Sequence, residues 1–226
     1  MEKTLYQLAK GKPGKKVSKK EFVELFKDNK PGGHKFEYQT KDGYIYKADS
    51  RQEITLIKKL SSRFDYKALR GQCLSIPYKY KGKKREYYPD LVVLTKTNKI
   101  VIIEVKEVVQ MVTKLNLRKY RALKNYAESR GYLYMMCDKN FVTLESLSDR
   151  GCLKVVQTSI EKALEDKKAF TYEDYLELVD GCDRKEKRRI RKSIGVYVAS
   201  NLDNLKVATG DFTNCIKNLR VIERKK

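Results

Sequence analysis

Two apolar runs constrain this chain more than anything else in it. Residues 91–94 read LVVL, residues 100–103 read IVII, and TKTNK stands between them. A strand with one wet face alternates polar with apolar, so an unbroken oily run belongs in a sheet covered on both faces. The turn-like residues 95–98 are short enough to pair the two runs as antiparallel neighbours. Around them, Ile54, Leu56, Ile57, Leu60 and Phe64 are spaced for one helix face. Residues 113–131 form an amphipathic helical pattern closed by Gly131, and YLYMMC at 132–137 is another central-type strand. Residues 71–95 are expected to hold two strands about a turn at 81–84 containing Gly82. The order helix, strand, strand, strand, helix, strand predicts an α/β fold, a mixed central sheet flanked by helices.

The flanks differ in texture. Residues 1–17 are basic, with Gly and Pro, and read as a mobile arm. Ser18 and Glu21 form a capping-box pattern for a short helix that NKPGG ends. Alternating aromatics about Asp42-Gly43 predict a hairpin. Beyond about residue 140 helical patterns with short breaks dominate, with a strand suggested only near the C-terminus. The expected organisation is 1–48 (arm, short helix and hairpin), 49–140 (core) and 141–226 (a smaller, basic, helical C-terminal domain). A chain of 226 residues is long enough for one good core and a small second unit.

Composition narrows the chemistry. Lys and Arg number 51 against 29 Asp and Glu, a net charge of +22. That excess points to a polyanion, most often nucleic acid. No apolar run approaches the length that spans a bilayer, and the N-terminus lacks an apolar signal core, so a cytoplasmic protein without membrane contact is expected. The five cysteines, Cys73, Cys137, Cys152, Cys182 and Cys215, are odd in number and lack metal-knuckle spacing. They read as reduced, mostly buried thiols. His34 is the only histidine, in a Gly-rich turn-like stretch, which excludes nucleases needing several histidines.

The candidate chemistry sits at the ends of the oily runs. Side chains alternate along a strand, so Glu104 and Lys106 share a face and Val105 takes the other. Antiparallel pairing about residues 95–98 brings Asp90, just after Pro89, beside them. Two carboxylates and an ammonium on one patch suit phosphodiester hydrolysis. The carboxylates hold a hard cation such as Mg²⁺, with Mn²⁺ as substitute, and the lysine orients or deprotonates water or neutralises developing charge. The competing reading is a pair of solvated strand ends.

Pro89-Asp90, thirteen residues, then Glu104-Val105-Lys106 resembles the PD-(D/E)xK nuclease superfamily, whose fold is restriction-endonuclease-like. The run of elements over roughly residues 50–138 is most similar to the TnsA-type branch, the endonuclease subunits of transposons. The resemblance implies a metal-dependent DNA endonuclease with Glu53, Asp90, Glu104 and Lys106 as catalytic residues. It implies the Val105 carbonyl as a further metal ligand beside Asp90 and Glu104, and Gln72 in support. Glu53 also completes a capping pattern with Ser50, so helix capping stands beside the catalytic role.

Double-stranded DNA is the expected partner, with a transposase or regulatory protein beside it; a homodimer is left open. Phosphate contact is expected from Lys114, Arg118 and Lys119, and from Arg184, Lys185, Lys187, Arg188, Arg189, Arg191 and Lys192, each also readable as a solvated basic face. A non-catalytic nucleic-acid-binding or assembly protein, and a restriction or repair/junction nuclease of the same fold, are the alternatives.

Overall fold

The computed structural model describes residues 5–27, 35–207 and 220–224. Helices α1 (Leu5–Leu8) and α2 (Lys19–Leu25) precede the hairpin β1 (Phe36–Gln39) and β2 (Ile45–Ala48). Then come α3 (Arg51–Arg63), β3 (Tyr66–Gly71), β4 (Ile76–Tyr80), β5 (Lys83–Tyr87), β6 (Leu91–Thr95) and β7 (Ile100–Val105). After α4 (Val108–Met111), α5 (Lys114–Ser129) and β8 (Leu133–Cys137), the chain continues through α6 (Lys154–Asp166), β9 (Ala169–Thr171), α7 (Tyr172–Leu178), α8 (Arg184–Ser200), β10 (Leu205–Val207) and β11 (Arg220–Arg224). Two compact units result, one within Met1–Lys106 and Arg118–Thr143, the other within Glu107–Leu117 and Leu144–Lys226.

The first unit is built on a mixed sheet in the order β3-β6-β7-β8, in which only β7 and β8 run parallel. The two oily runs pair as their sequence requires, Leu91 opposite Ile103 and Leu94 opposite Ile100. Alternation then sends Leu91, Val93, Val101 and Ile103 to one face, where they meet Leu56, Ile57 and Leu60 of α3. Val92, Leu94, Ile100 and Ile102 go to the other, against Leu123 and Ala127 of α5 and Phe22 of α2. All these core residues are almost wholly buried, and each large one stabilises the unit by roughly 1.5–3 kcal/mol relative to exposure.

Three features depart from the sequence reading. Residues 66–71, whose Lys67 and Arg70 interrupt the apolar pattern, form β3, a sheet strand not anticipated. The expected single strand over 83–95 is broken at Tyr88-Pro89, because proline cannot donate to a ladder; β5 pairs with β4 and β6 with β3 and β7. The described part of the arm is docked rather than free. Lys10 exchanges backbone hydrogen bonds with Tyr134 (2.8 and 3.0 Å), the Gly14 N–H donates to the Gly131 carbonyl (2.7 Å), and the Val17 N–H donates to the Asn98 carbonyl (2.9 Å).

In the second unit, Ile190, Ile194 and Val198 form the buried stripe of α8. Gly195 lets α4 approach, since a Cβ there would lie 2.8 Å from Val108 Cγ1. The helices are joined by a three-stranded sheet in the order β10-β11-β9, of which only the C-terminal part was foreshadowed. Among the described residues no helix is long and apolar enough to cross a membrane. Cys73 and Cys137 are buried, Cys152 and Cys182 half-buried, and none of the four forms a disulfide among the described residues. Cys215 and His34 lie outside the described residues.

Gly131 closes α5 at φ +64° and its Cβ position would fall 2.7 Å from Gly14 Cα. Both the left-handed backbone and the close approach demand glycine. Gly131→Ala should cost roughly 1–3 kcal/mol and speed hydrogen exchange at the Gly14 amide. Urea unfolding with exchange mass spectrometry reads both.

Candidate active site

Asp90, Glu104 and Lys106 meet at one end of the central sheet because β6 and β7 pair in the register described. Asp90 is held at both ends. Its Oδ2 accepts from the Val105 N–H at 2.6 Å, and its carbonyl accepts from the Gln72 N–H at 3.2 Å. Lys106 follows β7 and is fixed by its N–H donating to the Cys137 carbonyl at 2.9 Å. Its ammonium lies 2.7 Å from Glu104 Oε1, 2.9 Å from the Val105 carbonyl oxygen and 3.6 Å from Asp90 Oδ2. One cationic nitrogen thus touches an oxygen from each of the three groups expected to ligate metal.

The electrostatics follow from burial. Glu104 is 2% exposed, and its Oε2 has no hydrogen-bond partner among the described residues. Burial first, and the charge on Asp90 second, push its carboxyl up to about 7, with Lys106 pulling the other way. Burial alone would lower the Lys106 ammonium, but the charges on Asp90 and Glu104 outweigh it and hold the proton more tightly than usual.

Glu53 approaches from the first turn of α3. Its Oε1 accepts from Ser50 Oγ (2.6 Å) and its Oε2 from the Asp49 N–H (3.2 Å) and the Tyr46 hydroxyl (3.1 Å). Ser50 Oγ in turn accepts from the Glu53 N–H at 3.3 Å, so helix capping is real here. The same carboxylate is tied to the site, because the Tyr46 hydroxyl also lies 3.1 Å from the Asp90 carbonyl oxygen. Burial and the charge on Asp90 raise the Glu53 carboxyl against its three donors.

Tyr46 escaped the sequence reading, where it was one of several alternating hairpin aromatics. It is wholly buried, and Gly71 makes room for it: a Cβ at Gly71 would stand 2.4 Å from its ring. Tyr87 escaped too. Its phenol is buried without a hydrogen-bond partner among the described residues, and burial together with the charges on Glu104 and Asp90 keeps it protonated. The only signal was its place three residues before Asp90.

Gln72 has a left-handed backbone (φ 45°), and its Nε2 donates to Asp49 Oδ2 at 3.1 Å, leaving a buried Oε1 with no partner among the described residues. Of the residues expected to meet phosphate, Arg118 and Lys119 lie on α5 in the first unit, and the Lys119 ammonium sits 5.5 Å from the Tyr87 ring centroid. Lys114 begins α5 and belongs to the second unit. Arg184, Lys185, Arg188 and Arg189 are exposed on α8, with Lys187, Arg191 and Lys192 half-buried.

Among the described residues no three His, Cys, Asp or Glu side chains gather to hold an ion. The available set is therefore two carboxylates and a backbone carbonyl. All three donors are hard oxygens, the type Mg²⁺ and Mn²⁺ prefer, and Mg²⁺ keeps several waters of its own. The unpartnered Glu104 Oε2, and an ammonium already held by this set, make the site suited to a cation.

Residues 65–139 match the family described as TnsA-like endonuclease N terminal. The resemblance read from Pro89-Asp90 and Glu104-Val105-Lys106 is borne out over that stretch. The TnsA-like segment runs from the start of β3 to just past β8 and contains Gln72, Asp90, Glu104, Val105 and Lys106. Glu53 lies before it. No curated protein matches the chain.

The raised Glu104 carboxyl has a thermodynamic signature. Between pH 4.5 and about 7 the unfolded chain releases this proton while the folded one keeps it, so the group costs stability as pH rises. In EDTA, Glu104→Gln should gain on the wild type across that window by roughly 1–3 kcal/mol. Urea unfolding at stepped pH would show a constant difference if the carboxyl were ordinary.

Proposed function

We propose that the chain is a metal-dependent DNA endonuclease, working as the end-cleaving subunit of a transposition system beside a transposase partner. The observation that carries this reading is the set of oxygens around the Lys106 ammonium, 2.7 to 3.6 Å away on Glu104, Val105 and Asp90. Such a set, at the end of a sheet within a TnsA-like segment, is what a phosphodiester-cutting site requires.

Asp90, Glu104 and the Val105 carbonyl would hold Mg²⁺, with Mn²⁺ in substitution. Bound there, the ion supplies Lewis acidity to a phosphodiester oxygen and acidifies water. Asp90 is aimed by the Val105 N–H, which donates to its Oδ2. While no ion is bound, the charges on Asp90 and Glu104 hold the proton on Lys106. Its role is to orient the attacking water and to neutralise charge on the phosphate as it develops. Glu53 acts through Tyr46, which ties its carboxylate to the backbone of Asp90. The net charge of +22 supplies affinity for duplex DNA.

The test is nicking of supercoiled plasmid with Mg²⁺ or Mn²⁺, set beside Mn²⁺ binding by calorimetry, on variants checked for folding by circular dichroism. Asp90→Ala should lose both cleavage and Mn²⁺ binding. Lys106→Ala frees Glu104 Oε1 and the Val105 carbonyl, so it should keep or tighten Mn²⁺ binding while cleavage drops about 100-fold or more. Unchanged Mn²⁺ binding by Asp90→Ala, with DNA bound but uncut by every form including the wild type, would favour a non-catalytic DNA-binding protein.

A further inference from the structure

The most heavily charged structure near the site has no role yet. Strands β4 and β5 form a two-stranded ribbon that pairs with no other described strand. Lys79, Lys81, Lys83, Lys84 and Arg85 are all exposed on it, with no acid between residues 79 and 85. Its register sets Lys79 directly opposite Lys84. Like charges directly across an antiparallel pair destabilise it, and an isolated ribbon has little stability to spare. A polyanion would turn that repulsion into attraction.

The neighbourhood of the ribbon agrees. A groove of about 690 Å³ separates it from α5. Tyr78, Lys79 and Lys84 line it from the ribbon, Arg118, Arg121 and Tyr126 from α5, and no acidic residue is in its lining. The ribbon is rooted at the site. Ile76 and Tyr87 at its base are buried, Tyr78 meets Tyr87 edge-on with ring centroids 5.8 Å apart, and Tyr87 stands three residues before Asp90. The groove thus joins the site through the Tyr78–Tyr87 contact at the base of the ribbon.

We propose that the β4–β5 ribbon and the facing side of α5 form a clamp for the sugar–phosphate backbone of duplex DNA next to the cleaved position, with Lys79 and Lys84 closing from one side and Arg118 and Arg121 from the other. A two-stranded ribbon has the width to lie along a DNA groove. Lysine ammonium groups contact phosphate without reading bases, so the clamp adds affinity rather than sequence preference. This inference rests on the endonuclease reading above, and deepens it by naming where the substrate backbone is held.

The full chain is tested in EDTA with a fluorescent duplex of arbitrary sequence, measuring affinity over a range of salt concentrations. Lys79→Gln/Lys84→Gln should bind at least several-fold more weakly at low salt. Its slope of log affinity against log salt should be shallower by about 2, near one per lost phosphate contact. Its melting temperature in the absence of DNA should hold or rise, because the like-charge pair is gone. Lys58→Gln/Lys162→Gln, which removes the same charge from exposed positions on α3 and α6, should leave the slope near that of the wild type. Equal slopes for the wild type and the ribbon variant, or an equal loss in the control, would overturn the clamp and leave the endonuclease reading standing. A wild type that binds no duplex would overturn both.

Discussion

The hydrogen bond from the Val105 N–H to Asp90 Oδ2, 2.6 Å long, is the contact on which the rest of the site depends. It exists because Leu91 lies opposite Ile103, and that register is dictated by two runs that must both be buried. A slip of one residue would turn every apolar side chain of a run to the wrong face and carry Asp90 past its partner. Core packing and site geometry are thus one constraint. The hydrophobic energy of the sheet positions a carboxylate that would otherwise resist leaving water.

The reach of sequence reasoning followed the strength of the local signals. The oily runs, the faces of α3 and α5 and the Asp42-Gly43 hairpin were legible because each pattern has one period and a clear stop. The meeting of Asp90, Glu104 and Lys106 followed from strand alternation and a short turn. Strand β3 was missed because Lys67 and Arg70 disguise a strand that sits at the edge of the sheet. The split between β5 and β6 was available in Pro89, read as a motif residue and not as a break in a ladder. Tyr46 was beyond reach. Its importance comes from Gly71, Glu53 and Asp90 converging from three elements, and no single segment encodes that.

Glu53 illustrates how a local rule and a tertiary role can share one side chain. Its carboxylate takes part in the start of α3, and through Tyr46 it also touches the backbone of Asp90. Two readings that look exclusive along the sequence become compatible in space. The same holds for Lys106, whose ammonium is an ion-pair partner of two buried carboxylates and also meets the Val105 carbonyl oxygen.

That ammonium has a consequence for the order of events on DNA. Two bare carboxylates at this end of the sheet would repel a phosphate chain. The Lys106 ammonium, paired with both, and the raised Glu104 carboxyl make the patch less negative than two bare carboxylates would be. On the endonuclease reading proposed above, the protein would settle on DNA before an ion is bound, and search and cutting would be separable stages governed by different ligands.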